Sequence, residues 1–135
     1  MIRHLTASLA SLALSTAAFG QVQTTLVQEG DSIPGVGLVT RIDYVDVNSA
    51  GTWIVELDTD QPDTAMDSVV LVDGAVMFQE GTPLGIANPA GATMRIADVS
   101  DVNSNGDLMF LLDVNLMGGG EAQVVLWNGM LLLQE

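Results

Sequence analysis

The sequence predicts an all-β fold: two tandem four-stranded antiparallel meanders, preceded by a signal-peptide helix. Three observations carry this. One phrase occurs twice, 55 positions apart: Asp46-Val47-Asn48-Ser49-Ala50-Gly51 returns as Asp101-Val102-Asn103-Ser104-Asn105-Gly106. Apolar residues alternate with period two on either side of those turns, which favours strands over helices. Asp73-Gly74 and Asn128-Gly129 each separate two apolar runs, the strongest short hairpin signal.

The same offset of 55 places Val69-Val70-Leu71-Val72-Asp73-Gly74 on Val124-Val125-Leu126-Trp127-Asn128-Gly129, and Phe78-Gln79-Glu80 on Leu133-Gln134-Glu135. One offset shared by several separate segments points to an internal duplication, and such periods mark stacked repeat architectures. A third, truncated copy is expected upstream, where Leu26-Val27-Gln28-Glu29-Gly30 matches Met77-Phe78-Gln79-Glu80-Gly81.

In chain order, residues 1–20 read as a secretory signal peptide. Arg3 and His4 supply the positive start, an Ala- and Leu-rich stretch follows, and Ala18-Phe19-Gly20 is a small-x-small cleavage site. Residues 21–29 alternate as a strand. Residues 30–37 hold a Pro and three Gly and are expected as a loop. Its equivalent, residues 81–91, is longer, as surface loops tolerate. Short strands over 39–45 and 93–99 lead into the repeated turns, whose Asn, Ser and Gly suit tight backbone geometry. The next strands, 52–59 and about 108–114, carry Trp53, Val55 and Leu57, and Leu108, Phe110, Leu112 and Val114, on one face. Loops over 60–67 and 115–120 follow, and then the two hairpins. The hairpin strands are apolar on both faces, as in sheets covered on both sides. Each unit therefore reads as a meander in the environment of a propeller blade.

Charge narrows the partners. Beyond residue 20 only Arg41 and Arg95 are basic, against 17 acids, a net −15. Such a surface repels nucleic acid phosphates and anionic membranes. It also keeps an apolar β-protein soluble. The chain has no Cys and so no disulfides, and the core must hold itself together.

Composition excludes much chemistry. After residue 20 there is no His and no Lys, so His-based triads, cysteine nucleophiles, Schiff-base lysines and His-containing zinc sites are absent. Glu56 with Asp58, or Asp113, could serve as a glycosidase pair only if two acids flanked a cleft at a defined separation. They read more simply as solvated strand-face acids. Asp101-x-Asn103-x-Asn105-Gly106-Asp107 matches the first half of a calcium loop, but Leu112 stands where the bidentate Glu belongs. A plain β-turn explains both copies with fewer assumptions. Trp53 and Trp127 could stack on a sugar, but they are not equivalent positions, and core Trp is commoner. Met77, Met94, Met109, Met117 and Met130 read as core filling. No catalytic, cofactor or metal residue is assigned.

The chain resembles a family of exported bacterial repeat proteins with propeller-like units. The resemblance rests on Gly30-Asp31-x-x-Pro34-Gly35-x-Gly37, Asn48-x-x-Gly51, Asn103-x-x-Gly106 and Gln79-Glu80-Gly81, across nearly all of residues 26–135. The second unit departs at the Gly-Asp-x-x-Pro-Gly loop. The family carries no established enzymatic activity, so the resemblance implies architecture and export rather than a reaction. Its members carry more than two units, which implies a fragment of a longer array.

The resulting expectation is a signal peptide at 1–20 and a β-repeat domain at 21–135, with repeats at about 26–81 and 77–135. The function expected is a non-catalytic, secreted or periplasmic module with a structural or interaction role. A calcium- or carbohydrate-binding extracellular module is the alternative. Two stacked units would leave apolar outer faces, so self-association or a protein partner is expected there.

Overall fold

A computed structural model describes residues 24–86 and 89–135; the expected signal segment, 1–20, lies outside them. The described residues contain no helix. Their strands are β1 (Ser32–Ile33), β2 (Gly37–Val47), β3 (Trp53–Thr59), β4 (Ser68–Val72), β5 (Ala75–Gln79), β6 (Thr93–Val102), β7 (Leu108–Asn115), β8 (Glu121–Trp127) and β9 (Met130–Gln134). β1 to β5 form one antiparallel sheet and β6 to β9 a second, each in sequence order.

Local chemistry sets these elements. Asp73 and Gly74 have φ of 49° and 82°, and Asn128 and Gly129 have 50° and 77°, the paired positive φ of a type I′ hairpin turn. Each turn is also clamped to its neighbouring strand. Asp73 Oδ1 accepts from Trp53 N at 2.9 Å, and Asn128 Oδ1 accepts from Leu108 N at 2.8 Å, 55 positions on.

β2 and β6 are longer than the expected strands over 39–45 and 93–99. Register shifts explain why. They fall between Val39 and Arg41 and between Ile42 and Tyr44 in β2, and between Met94 and Ile96 and between Ala97 and Val99 in β6. A bulge inserts a residue and breaks the alternation on which a strand is read. These shifts, too, are 55 apart.

Two expectations are corrected at the start of the chain. Residues 24–28 of the expected strand over 21–29 form no strand, since no neighbour offers them a ladder; residues 21–23 lie outside the described set. The loop over 30–37 contains β1, which pairs Ser32 with Leu38 and Ile33 with Gly37, so the first sheet has five strands rather than four.

The two sheets stack. One face of the first sheet presents Ile54, Val70 and Phe78 to Phe110, Leu112, Val114, Val124 and Leu126 of the second, and these form one buried core. At its centre the Phe78 and Phe110 rings meet edge to face, centroids 5.0 Å apart and planes at 88°. The first sheet's other face, with Val55, Leu57, Val69 and Leu71, is buried under Ile33, Val27 and Val36. The segment before β2 thus covers a face that was expected to be open. Counted at the offset of 55, the buried side of the second sheet corresponds to the far side of the first: Phe110 to Val55, Leu112 to Leu57, Val124 to Val69. The sheets therefore stack front to back rather than front to front.

Candidate functional site

Three places have chemistry to offer: the repeated turns, a cleft between the sheets, and the outer face of the second sheet.

The repeated turns are built alike. Asn48 Oδ1 accepts from Ala50 N at 3.0 Å and Thr52 N at 2.9 Å; Asn103 Oδ1 accepts from Asn105 N and Asp107 N, both at 2.9 Å. Gly51 and Gly106 follow at φ of 93° and 85°. The turns also clasp each other across the two sheets. Asn48 Nδ2 donates to the Asn103 carbonyl at 2.9 Å, and Val102 N donates to Asp46 Oδ2 at 3.0 Å. That Val102 bond holds the Asp46 carboxyl below its ordinary pKa. Asn103 Nδ2 turns instead to Asp107 Oδ2 at 2.9 Å, and Asn128 Nδ2 donates to Asp107 Oδ1 at 3.0 Å. These bonds, Asn128 first, lower the Asp107 pKa. Of the oxygens in the calcium-loop pattern, those of Asn103 and Asp107 are thus engaged by donors of the chain itself. Among the described residues no three acids are grouped to hold a metal.

The cleft lies where β2 and β3 of the first sheet meet β6 of the second. The part lined by Asp43, Tyr44, Glu56, Asp98, Val99 and Ser100 has a volume of about 200 Å³. It adjoins a second part, about 350 Å³, that Arg41, Asp58, Glu80 and Arg95 also line. Arg41 pairs with Asp43 at 2.7 Å and Asp58 at 2.8 Å, while Arg95 pairs with Asp113 and lies 3.6 Å from Glu121. Burial pushes the Glu56 carboxyl above its ordinary pKa, and does the same to Asp58 and Glu80.

The acids weighed as a hydrolytic pair are not brought together as one. Glu56 and Asp58 face the second sheet from β3, with Asp58 ion-paired. Asp113 of β7 pairs with Gln123 of β8, whose Nε2 donates to its Oδ1 at 2.9 Å, on the side of the second sheet away from the first. Nor do Trp53 and Trp127 form a platform. Trp53 packs with Val55 and Leu57, while Trp127 pairs with Met109 on the far side of the second sheet. Ser100 and Asp98 were not singled out from sequence. The signal available was a break in the offset of 55: Ser100 falls on Val45, and Glu56 falls on Leu111.

Toward its hairpin end the outer face of the second sheet is apolar. Cross-strand pairs Met109–Trp127, Leu111–Val125, Val125–Leu133 and Trp127–Met130 line it. Leu133 and Met130 are each 63% exposed. The corresponding positions of the first sheet, Ile54, Val70 and Phe78, are buried against the second.

A scan against protein-family models, a search of curated proteins and a search of solved structures returned no match.

Proposed function

We propose that the chain is a non-catalytic, exported β-repeat module, its two sheets successive blade-like units of a propeller-like array, acting by sheet-face association. One observation carries this reading. The face of the first sheet around Ile54, Val70 and Phe78 is sealed by the second sheet, while the second sheet's counterpart around Leu111, Val125 and Leu133 is open. A face whose sibling is already a binding surface is suited to receive a further unit of the same kind, from another copy or a partner. Contiguous exposed apolar surface of this kind marks interaction sites. The acidic remainder of the surface favours solubility over nucleic acid or membrane contact.

The ligand-binding alternative draws less support. The Asn103 oxygen is spent on its own turn, and the two Trp lie on different sheets.

Sedimentation velocity tests the proposal. The wild-type chain should associate with rising concentration in the micromolar range, and Leu133→Glu should remain monomeric. Leu133 is exposed, so the variant keeps its fold. A compact wild-type monomer throughout would overturn the reading.

A further inference from the structure

Glu56 and Ser100 stand opposite each other between the sheets, and each departs from its repeat counterpart. At the offset of 55 their counterparts, Leu111 and Val45, are both apolar. Glu56 Oε1 and Ser100 Oγ are both buried without a hydrogen-bond partner, and Ser100 is 1% exposed. Ser100 lies close enough to Glu56 to favour its charged form, yet neither buried oxygen has a well-aligned partner, and leaving a carboxylate oxygen and a hydroxyl so is costly. Both open into the same cleft of about 200 Å³. Its lining contains three acids and no base. Arg41 answers Asp43 from one side and the Gln123 amide reaches Asp98 Oδ2 at 3.3 Å, but Glu56 and Asp98 have no basic partner among the described residues.

From this juxtaposition we propose that the inter-sheet cleft binds a primary alkylammonium group, with Glu56 as its charge partner, Ser100 Oγ as a hydrogen-bond acceptor and Asp98 at the rim. An ammonium offers three donors to these oxygens. The three acids are not grouped to hold one metal ion, whereas Tyr44 and Val99 give the same cleft apolar walls for an alkyl stem. The group could come from a free amine or from the lysine side chain of a partner; the chain itself has no Lys.

Calorimetric titration of the full chain with n-butylamine, Nα-acetyl-lysine methyl ester and tetramethylammonium tests this. Butylamine should bind saturably at one site, with tetramethylammonium at least about tenfold weaker because it has no N–H to donate. Glu56→Gln and Ser100→Val should each weaken butylamine at least about tenfold, while Asp31→Asn, an equal loss of charge outside the cleft, should not. Tighter binding of the lysine ester would identify a protein side chain as the source, and tighter butylamine a free amine. No saturation up to about 10 mM would overturn the proposal. Undiminished binding in folded Glu56→Gln would overturn it equally, since the heat would then belong to diffuse attraction.

Discussion

Asn48 and Asn103 show how much a single side chain does here. Each closes its turn by accepting two backbone N–H groups, and Asn48 also reaches the neighbouring sheet. Asn103→Ala should lower stability by about 1–2 kcal/mol through those bonds and the one its Nδ2 gives Asp107; Asn48→Ala should cost more, because its third bond joins the two sheets whereas that of Asn103 stays within one turn. Paired thermal melts would check the order. Two glycines make a similar comparison. At Gly81, φ is +73° and a Cβ would lie 2.7 Å from the Ala65 carbonyl oxygen; at Gly30, φ is +88° but the space is open. Gly81→Ala should therefore be the more damaging, and equal losses would show that backbone strain alone governs both sites. Glu56 supplies a pH dependence. Its folded pKa is raised by burial, so between its unfolded and folded values the native state holds the extra proton, and stability falls as pH rises through that window. Asp58 and Glu80 act in the same sense. Asp46 and Asp107 act oppositely: their folded pKa values are lowered, so what they contribute is lost as pH falls through those values. Glu56→Gln should accordingly raise the melting temperature at pH 7 and lose that advantage below the ordinary carboxylate range. A gain that persists at low pH would show that the effect is not ionic.

At the scale of elements, the hairpins and repeated turns were legible because their residues are chosen for backbone geometry. Asp-Gly, Asn-Gly and Asn-x-x-Gly name the conformation they adopt. The long strands β2 and β6 were legible only in part, since paired bulges interrupt the alternation that identifies a strand. β1 was hidden among Pro and Gly, and the strand expected before it was misread. An alternating run such as 24–28 becomes a strand only when a neighbour offers its backbone a ladder. The cleft was the least legible part, because it forms between sheets whose stacking the sequence does not state. Its only trace was two broken matches, Ser100 with Val45 and Glu56 with Leu111. Across the sheet interface, Phe110→Ala should cost about 3–5 kcal/mol, as for other large aromatic side chains removed from a core. Phe78→Ala should cost nearly as much, and the double variant less than the two losses added, because the rings share one contact. Additive losses in denaturant melts would mean that the rings do not meet.

For the whole molecule, the account reduces to direction. Two like units laid front to back leave one face of the same kind still open, whereas two laid front to front would close the set. The front-to-back order is what leaves the Leu133 side of the second sheet uncovered, and it places Glu56 against Ser100. The ring contact between Phe78 and Phe110 is the signature of that order, because front-to-front stacking would bring Phe78 against the Leu133 side of the second sheet. The chain has three Phe, at 19, 78 and 110, so Phe19→Leu leaves two labelled ring systems. Isotope-edited NMR on that variant should show a ring-to-ring Overhauser contact between Phe78 and Phe110, consistent with centroids 5.0 Å apart, and a mixed-label sample should assign it to one chain. A folded protein in which Phe78 contacts the Leu133 side of the second sheet, and not Phe110, would contradict the account.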